Sequence, residues 1–153
     1  MDPYDTVAVR RVWQRVRQSM PETGASDAGV LAELIRHELA ARQAYRRLAT
    51  MAGRNAPLFR TLAAQEDGHA RRLSALYDLL YGPLPQIAAP RMAGSGSFQE
   101  GLRAAYAAEL QSAARYVQAA ERWPDHREFF LDLAVQERRH AARLRELRAQ
   151  HMR

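Results

Sequence analysis

The sequence contains no cysteine, and this absence excludes several classes of protein at once. Without thiols the chain has no disulfide framework, no catalytic thiolate, no zinc ribbon and no iron–sulfur cluster of its own. Lysine is missing too, so all 23 basic residues are arginine. Any metal ion must therefore be bound by oxygen and nitrogen atoms.

Glycine, proline and long apolar runs are scarce. The 8 Gly and 7 Pro among 153 residues exclude collagen and low-complexity disorder. No stretch approaches the ~18 consecutive apolar residues of a membrane span, and the N-terminus lacks the apolar run of a signal peptide. The length and the composition, 47% hydrophobic and 26% charged, predict one soluble, cytoplasmic domain with no membrane partner.

Alanine and arginine are abundant, and both favour helix. The chain has 29 alanines beside its arginines, and these two residue types rank at the top of the helix-propensity scale. The formal net charge of +6 raises the question of a nucleic-acid partner. Because the arginines are spread over every segment, we interpret them as solvated helix faces and expect no nucleic-acid partner.

Breaks in the helical pattern divide the chain into an N-terminal leader, residues 1–25, and a bundle domain, residues 26–153. The leader is predicted to form a short amphipathic helix from Asp2 to about Ser19. Turn and capping signals in the remainder predict an all-α fold of four long helices, with a long connection after the second. Asn55 is a candidate cap for the second helix, and Ser97 followed three residues later by Glu100 is a capping-box signature for the third. The predicted helices run from Ser26 or Asp27 to Ala52, about Pro57 to Tyr81, Phe98 to Arg122, and from about Asp125 to near the C-terminus.

Each predicted helix has a core-facing series of residues, spaced alternately by three and four, which we call its seam. The seams are apolar except for one glutamate in each, Ser112 in the third, and a histidine three residues after the glutamate in the second and fourth. The polar seam residues are Glu38, Glu66, His69, Glu109, Ser112, Glu137 and His140.

The chain also contains an internal repeat with an offset of 71 residues. Residues 62–76 and 133–147 are identical at nine of fifteen positions, where composition alone would give roughly one or two. The same offset relates Glu38 to Glu109 and Tyr45 to Tyr116. The sequence therefore predicts two helix hairpins of common design, each with its own polar core residues.

Four ionised glutamates in one core would repel each other and lose their hydration, so nearby positive charge must balance their negative charge. Two divalent cations supply the charge, and two neutral imidazoles complete the coordination. One Glu from each of two helices and Glu-x-x-His from each of the other two is a known di-metal arrangement in helix bundles. The alternative is a metal-free polar layer of glutamates paired with histidine and arginine.

On these residues the chain resembles the ferritin-like superfamily, and within it the di-iron proteins of the rubrerythrin and bacterioferritin types. The resemblance covers about Ser26 to the C-terminus and implies a four-helix bundle whose long connection crosses between the two hairpins. It implies two iron ions, with manganese as the other metal found in such proteins. Glu38 and Glu109 would be terminal ligands, Glu66 and Glu137 would bridge both ions, and His69 and His140 would bind one each.

The chain departs from this family in three respects. Rubrerythrins carry an additional glutamate at the place of Ser112 and a cysteine-rich module that is missing here, so electrons would come from a separate donor protein or small reductant. Ferritin cages add a fifth helix, which this sequence lacks, and we therefore expect a homodimer rather than a shell.

The resemblance implies a non-haem di-iron oxidoreductase that reduces hydrogen peroxide or oxidises Fe²⁺ with oxygen. An iron-sequestering protein is the first alternative, and a bundle with a vestigial site that serves only for interaction is the second. Tyr45 and Tyr116 lie two turns beyond Glu38 and Glu109 on the same helix faces. They are candidates either for contact with the metal ligands or for ordinary packing.

Overall fold

The computed structural model describes residues 26–88, 90 and 96–151, and in these residues it contains helices but no strand. The four long helices are α1 (Asp27–Met51), α2 (Ala56–Tyr81), α3 (Phe98–Arg122) and α4 (Arg127–His151). Short 3-10 turns, Gly53–Asn55 and Pro124–His126, precede α2 and α4. The prediction of an all-α chain with four long helices is confirmed. The predicted leader helix lies outside the described residues.

The ends of the helices follow local signals in the sequence. The Ser26 hydroxyl accepts a hydrogen bond from the Gly29 amide at the start of α1. Past its end, Gly53 has a φ of 52°, a left-handed conformation that glycine adopts without strain. Asn55 stands at the N-cap position of α2, as expected, but it belongs to the 3-10 turn and its side chain makes no capping hydrogen bond.

The start of α3 has the predicted capping box. The Glu100 carboxylate accepts from the Ser97 amide at 2.6 Å, and the Ser97 hydroxyl accepts from the Glu100 amide at 3.2 Å. The hydrogen bond from the Ser97 backbone and, after it, one from the Ser97 side chain to the carboxylate lower the pKa of Glu100. The capping box of Ser97 and Glu100 therefore marks the start of α3.

The described residues fall into two compact units, divided between Ala105 and Tyr106 within α3. In the first unit α1 packs on α2, and the Phe59 ring lies 6.2 Å from that of Tyr45 and 5.7 Å from that of Phe98. The side chain of Leu48 lies so close to Gly101 that any β-carbon there would meet it at 2.8 Å. The first turn of α3 is thereby fixed against this hairpin.

The second unit contains the rest of α3 together with α4. The ring of Phe130 lies 6.4 Å from that of Tyr116 and 5.3 Å from that of Trp123, and both pairs are stacked. Leu133 and Leu144 on α4 are fully buried. The pairs Tyr45–Phe59 and Tyr116–Phe130 occupy equivalent places in the repeat, so the duplicated sequence has a duplicated core.

The predicted seams are buried with few exceptions. Leu80 continues the seam spacing of α2, and the sequence therefore predicts that it is buried, but it is 37% exposed because it lies in the last turn of the helix, next to the similarly exposed Tyr81. Ala41 and Ser112 are half-buried. None of the helices in the described part of the chain combines the length and apolar character that a membrane span requires.

Candidate metal centre

The polar seam residues other than Ser112 are among the most deeply buried side chains in the described part of the chain. Glu38, Glu66, Glu109 and Glu137 are each between 1% and 3% exposed. An ionised carboxylate taken out of water costs several kcal/mol unless it is paired or binds a cation. These are the only acidic side chains that are fully buried in the described part of the chain.

The first hairpin brings three of these residues together, and we call Glu38, Glu66 and His69 the first triad. The Nδ1 atom of His69 lies 3.3 Å from a carboxylate oxygen of Glu38 and 3.3 Å from one of Glu66. One ligand atom from each of the three residues lies within 4.8 Å of the other two. Glu38 belongs to α1, whereas the other two residues are three positions apart on α2 and share one face.

The second unit has the same arrangement, which we call the second triad: Glu109, Glu137 and His140. The Nδ1 atom of His140 lies 3.6 Å from an oxygen of Glu109 and 3.3 Å from one of Glu137. Their ligand atoms also lie within 4.8 Å of one another. Each of the six predicted ligands therefore lies in a buried triad with its predicted partners from the same hairpin.

In each triad one imidazole nitrogen and two carboxylates converge. The Nδ1 atom of the histidine faces an oxygen of each of the two glutamates. One N–H can donate well to only one acceptor, whereas a cation attracts all three groups at once. These buried Glu and His clusters could hold a metal ion, and their oxygen and nitrogen donors fit divalent iron or manganese.

The two tyrosines predicted near the ligands are buried in equivalent positions. Tyr45 and Tyr116 are each 1% exposed, and each packs on the phenylalanine of its own hairpin. Both tyrosines are therefore part of the core, and a contact with the metal ligands stays a prediction.

One ion pair beside the first triad was missed by the sequence reasoning. Arg42 on α1 donates to the carboxylate of Asp67, the residue after Glu66, and Arg71 also pairs with that carboxylate. The hydrogen bond from Arg42 is the main cause that lowers the pKa of Asp67. The repeat places Ala113 and Arg138 at the two corresponding positions, so a comparison of its copies could have singled out this pair.

Comparisons of the chain with protein-family models, with curated proteins and with solved structures find no match. The interpretation of the site accordingly depends on the chemistry of its own residues. That chemistry is two buried carboxylates and one imidazole in each of two repeated hairpins.

Proposed function

We propose that the six triad residues together hold two iron ions, and that the protein is a di-iron oxidoreductase of the rubrerythrin-like type. The observation that carries the proposal is the duplicated triad, in which acidic side chains occupy core positions that a stable bundle would fill with leucine. In a metal-free polar layer only two imidazoles would stand against four buried carboxylates, whereas two divalent cations balance all four charges.

Under this proposal the four helices form a ferritin-like bundle, and the two triads contribute to one site. The four carboxylates then balance the charge of two divalent ions, which makes their burial favourable. Glu66 and Glu137 would bridge the ions, and Glu38 and Glu109 would each bind one. The histidines bind through Nδ1, the atom that faces the carboxylates in both triads.

When bound, two ferrous ions would supply the two electrons that convert one hydrogen peroxide and two protons into two waters. The residues of this chain would hold the ions at a fixed separation and surround them with apolar side chains that keep out bulk water. The chain has no thiol for a redox relay, so the electrons that restore the reduced state come from an outside donor. We also propose that the protein works in the cytoplasm, as a homodimer.

The direct test is to load the protein with Fe²⁺ without oxygen and then add hydrogen peroxide or oxygen in separate experiments. We expect oxidation of two Fe²⁺ per peroxide, and the faster oxidant distinguishes a peroxidase from a ferroxidase. The Glu66→Ala/Glu137→Ala variant should lose the reaction. The matched control is Ala64→Ser/Val135→Ser, which changes two exposed residues at the same offset from the same glutamates.

Three results would contradict the proposal. One is a wild-type protein that binds iron yet reacts with neither oxidant faster than free Fe²⁺ does. Another is a large hollow iron-filled particle, because this would favour the sequestration alternative. The third is a protein that takes up no metal at all, because this would favour the vestigial bundle.

A further inference from the structure

The second half of α4 carries a dense group of exposed arginines, which we call the basic side: Arg138, Arg139, Arg143, Arg145 and Arg148. Glu146 is the only exposed acidic residue among positions 138–150. The five arginines extend over about 15 Å of helix axis, at about 1.5 Å per residue. Although arginines occur in every segment of the sequence, this part of α4 concentrates five exposed ones within eleven positions.

The repeat shows that this charge is not required by the helix or by the triad. The equivalent residues 67–79 of α2 have two arginines and two aspartates, although α2 has the same Glu-x-x-His ligands and the same apolar seam. At the position of Arg138 stands Asp67, and at that of Arg139 stands Gly68. The fold therefore tolerates a neutral surface here, and the arginines of α4 need another explanation.

The basic side is also adjacent to metal-binding residues. Arg138 and Arg139 lie between Glu137 and His140 in the sequence, so they project outward from the helical turn whose inner face carries the two ligands. A molecule that binds this surface is separated from the second triad by the thickness of one helix.

We propose that the basic side of α4 is the docking surface for an acidic electron-carrier protein. The inference rests on the proposed function, which requires an outside electron donor. The five arginines extend over about 15 Å of the helix axis and, at about 3.6 residues per turn, around more than half of its circumference. A protein surface can cover such an area, whereas a small reductant contacts only part of it. Complementary charge of this kind steers association and sets the partner's orientation.

A nucleic acid fits the same residues less well. Glu146 is three residues after Arg143 and seven after Arg139, so it shares their helix stripe. A continuous phosphate backbone would meet this like charge, whereas a protein can place a basic or neutral side chain opposite it.

The test uses a reduced [2Fe–2S] ferredoxin of strongly negative net charge as the probe. Its binding to the full-length protein is measured by calorimetry at low ionic strength. Electron transfer is measured by stopped flow with iron-loaded protein whose iron has first been oxidised to the ferric state with peroxide. We expect Arg138→Glu/Arg145→Glu to lower both the affinity and the second-order rate at least about tenfold. The difference should disappear at about 0.5 M salt.

The matched control is Arg54→Glu/Arg60→Glu, which makes the same change in net charge at two exposed arginines of the first hairpin. We expect it to change the affinity less than about twofold, since it lies outside the docking surface. Equal losses in the two variants would overturn the proposal, as would no loss in either or no binding by the wild type. Tight binding of duplex DNA to the basic side at about 0.15 M salt, in preference to the ferredoxin, would also overturn it.

The binding measurement needs no metal, and the oxidation of reduced protein by peroxide needs no donor protein. If peroxide oxidises the iron but the charge reversals have no effect, only the docking proposal fails. If the ferredoxin binds as expected but the protein takes up no iron, the proposed function fails instead.

Discussion

Replacement of one triad by leucine should make the metal-free protein more stable. In the variant Glu38→Leu/Glu66→Leu/His69→Leu, two carboxylates that are 2% and 1% exposed give way to apolar side chains of similar volume. Buried ionic groups replaced in this way typically leave a protein unchanged or stabilise it by about 1–4 kcal/mol. For a chain of this length each kcal/mol raises the melting temperature by about 2–4 °C, so we expect an increase of up to about 16 °C.

With bound metal ions the wild type should be more stable than the triple variant, which is the reverse of the order expected for the metal-free proteins. The wild type gains about 4 kcal/mol for a site when the free metal concentration is 1,000 times its dissociation constant, whereas the triple variant has lost one complete triad. With Mn²⁺, which allows the experiment to be done in air, the wild type should melt above the variant. After chelation it should melt below the variant.

The assay is thermal unfolding followed by circular dichroism, with Mn²⁺ and then with excess chelator. The equivalent variant of the second triad, Glu109→Leu/Glu137→Leu/His140→Leu, should behave in the same way because the two triads are equivalent in burial and composition. A wild-type melting curve that is the same with metal and with chelator would refute the reasoning. So would triple variants that are less stable than the chelated wild type, because this would mean that the polar triads stabilise the core by themselves.

Three further predictions concern the helices that hold the triads. Gly68→Ala should raise the free energy of unfolding by about 0.5–1 kcal/mol in denaturant titrations, since the position is helical and a β-carbon there meets nothing within 4 Å. Gly101→Ala should be at least about 1 kcal/mol more favourable in the Leu48→Ala background than in the wild type, because its β-carbon would otherwise lie 2.8 Å from the Leu48 side chain; a double-mutant cycle without coupling would contradict this contact. Ser97→Ala should cost about 1 kcal/mol because the Glu100 amide loses its capping hydroxyl, and in an NMR titration the pKa of Glu100 should return only part of the way to its ordinary value, because the backbone amide of residue 97 still donates to the carboxylate. Because its pKa is lowered in the folded protein, the Glu100 carboxylate stabilises the fold above the ordinary value of 4.5, and this stabilisation is lost as the pH falls through the lowered pKa. The free energy of unfolding should therefore depend less on pH below 4.5 in the variant than in the wild type.

Much of the fold and of the site follows from local sequence patterns. The bounds of α3 agree with the prediction because both ends have strong signals, the Ser97 and Glu100 box and the Trp123-Pro124 break. The six triad residues could be found because a polar residue in an apolar seam is conspicuous. The repeat also places the same residue type at the equivalent position of the other hairpin.

Other features depend on tertiary context that a pattern does not contain. The periodicity of α2 continues through Leu80, but burial depends on what lies opposite the last turn, and there the side chain is exposed. Asn55 has the right residue type for a cap, yet the chain forms a 3-10 turn at that place. The pair Arg42–Asp67 joins two helices across 25 positions, and no single-helix pattern predicts such a contact.

The most direct test of the central claim is the metal content of the purified protein. The chain is loaded with Fe²⁺ without oxygen, freed of loosely bound ions and analysed by elemental analysis beside a protein determination. We expect two iron ions per chain in the wild type and a much lower content in Glu66→Ala/Glu137→Ala, with the content of Ala64→Ser/Val135→Ser unchanged. A wild type that retains no metal, or a Glu66→Ala/Glu137→Ala variant that retains two tightly held ions, would contradict the assignment of the triads as a di-metal site.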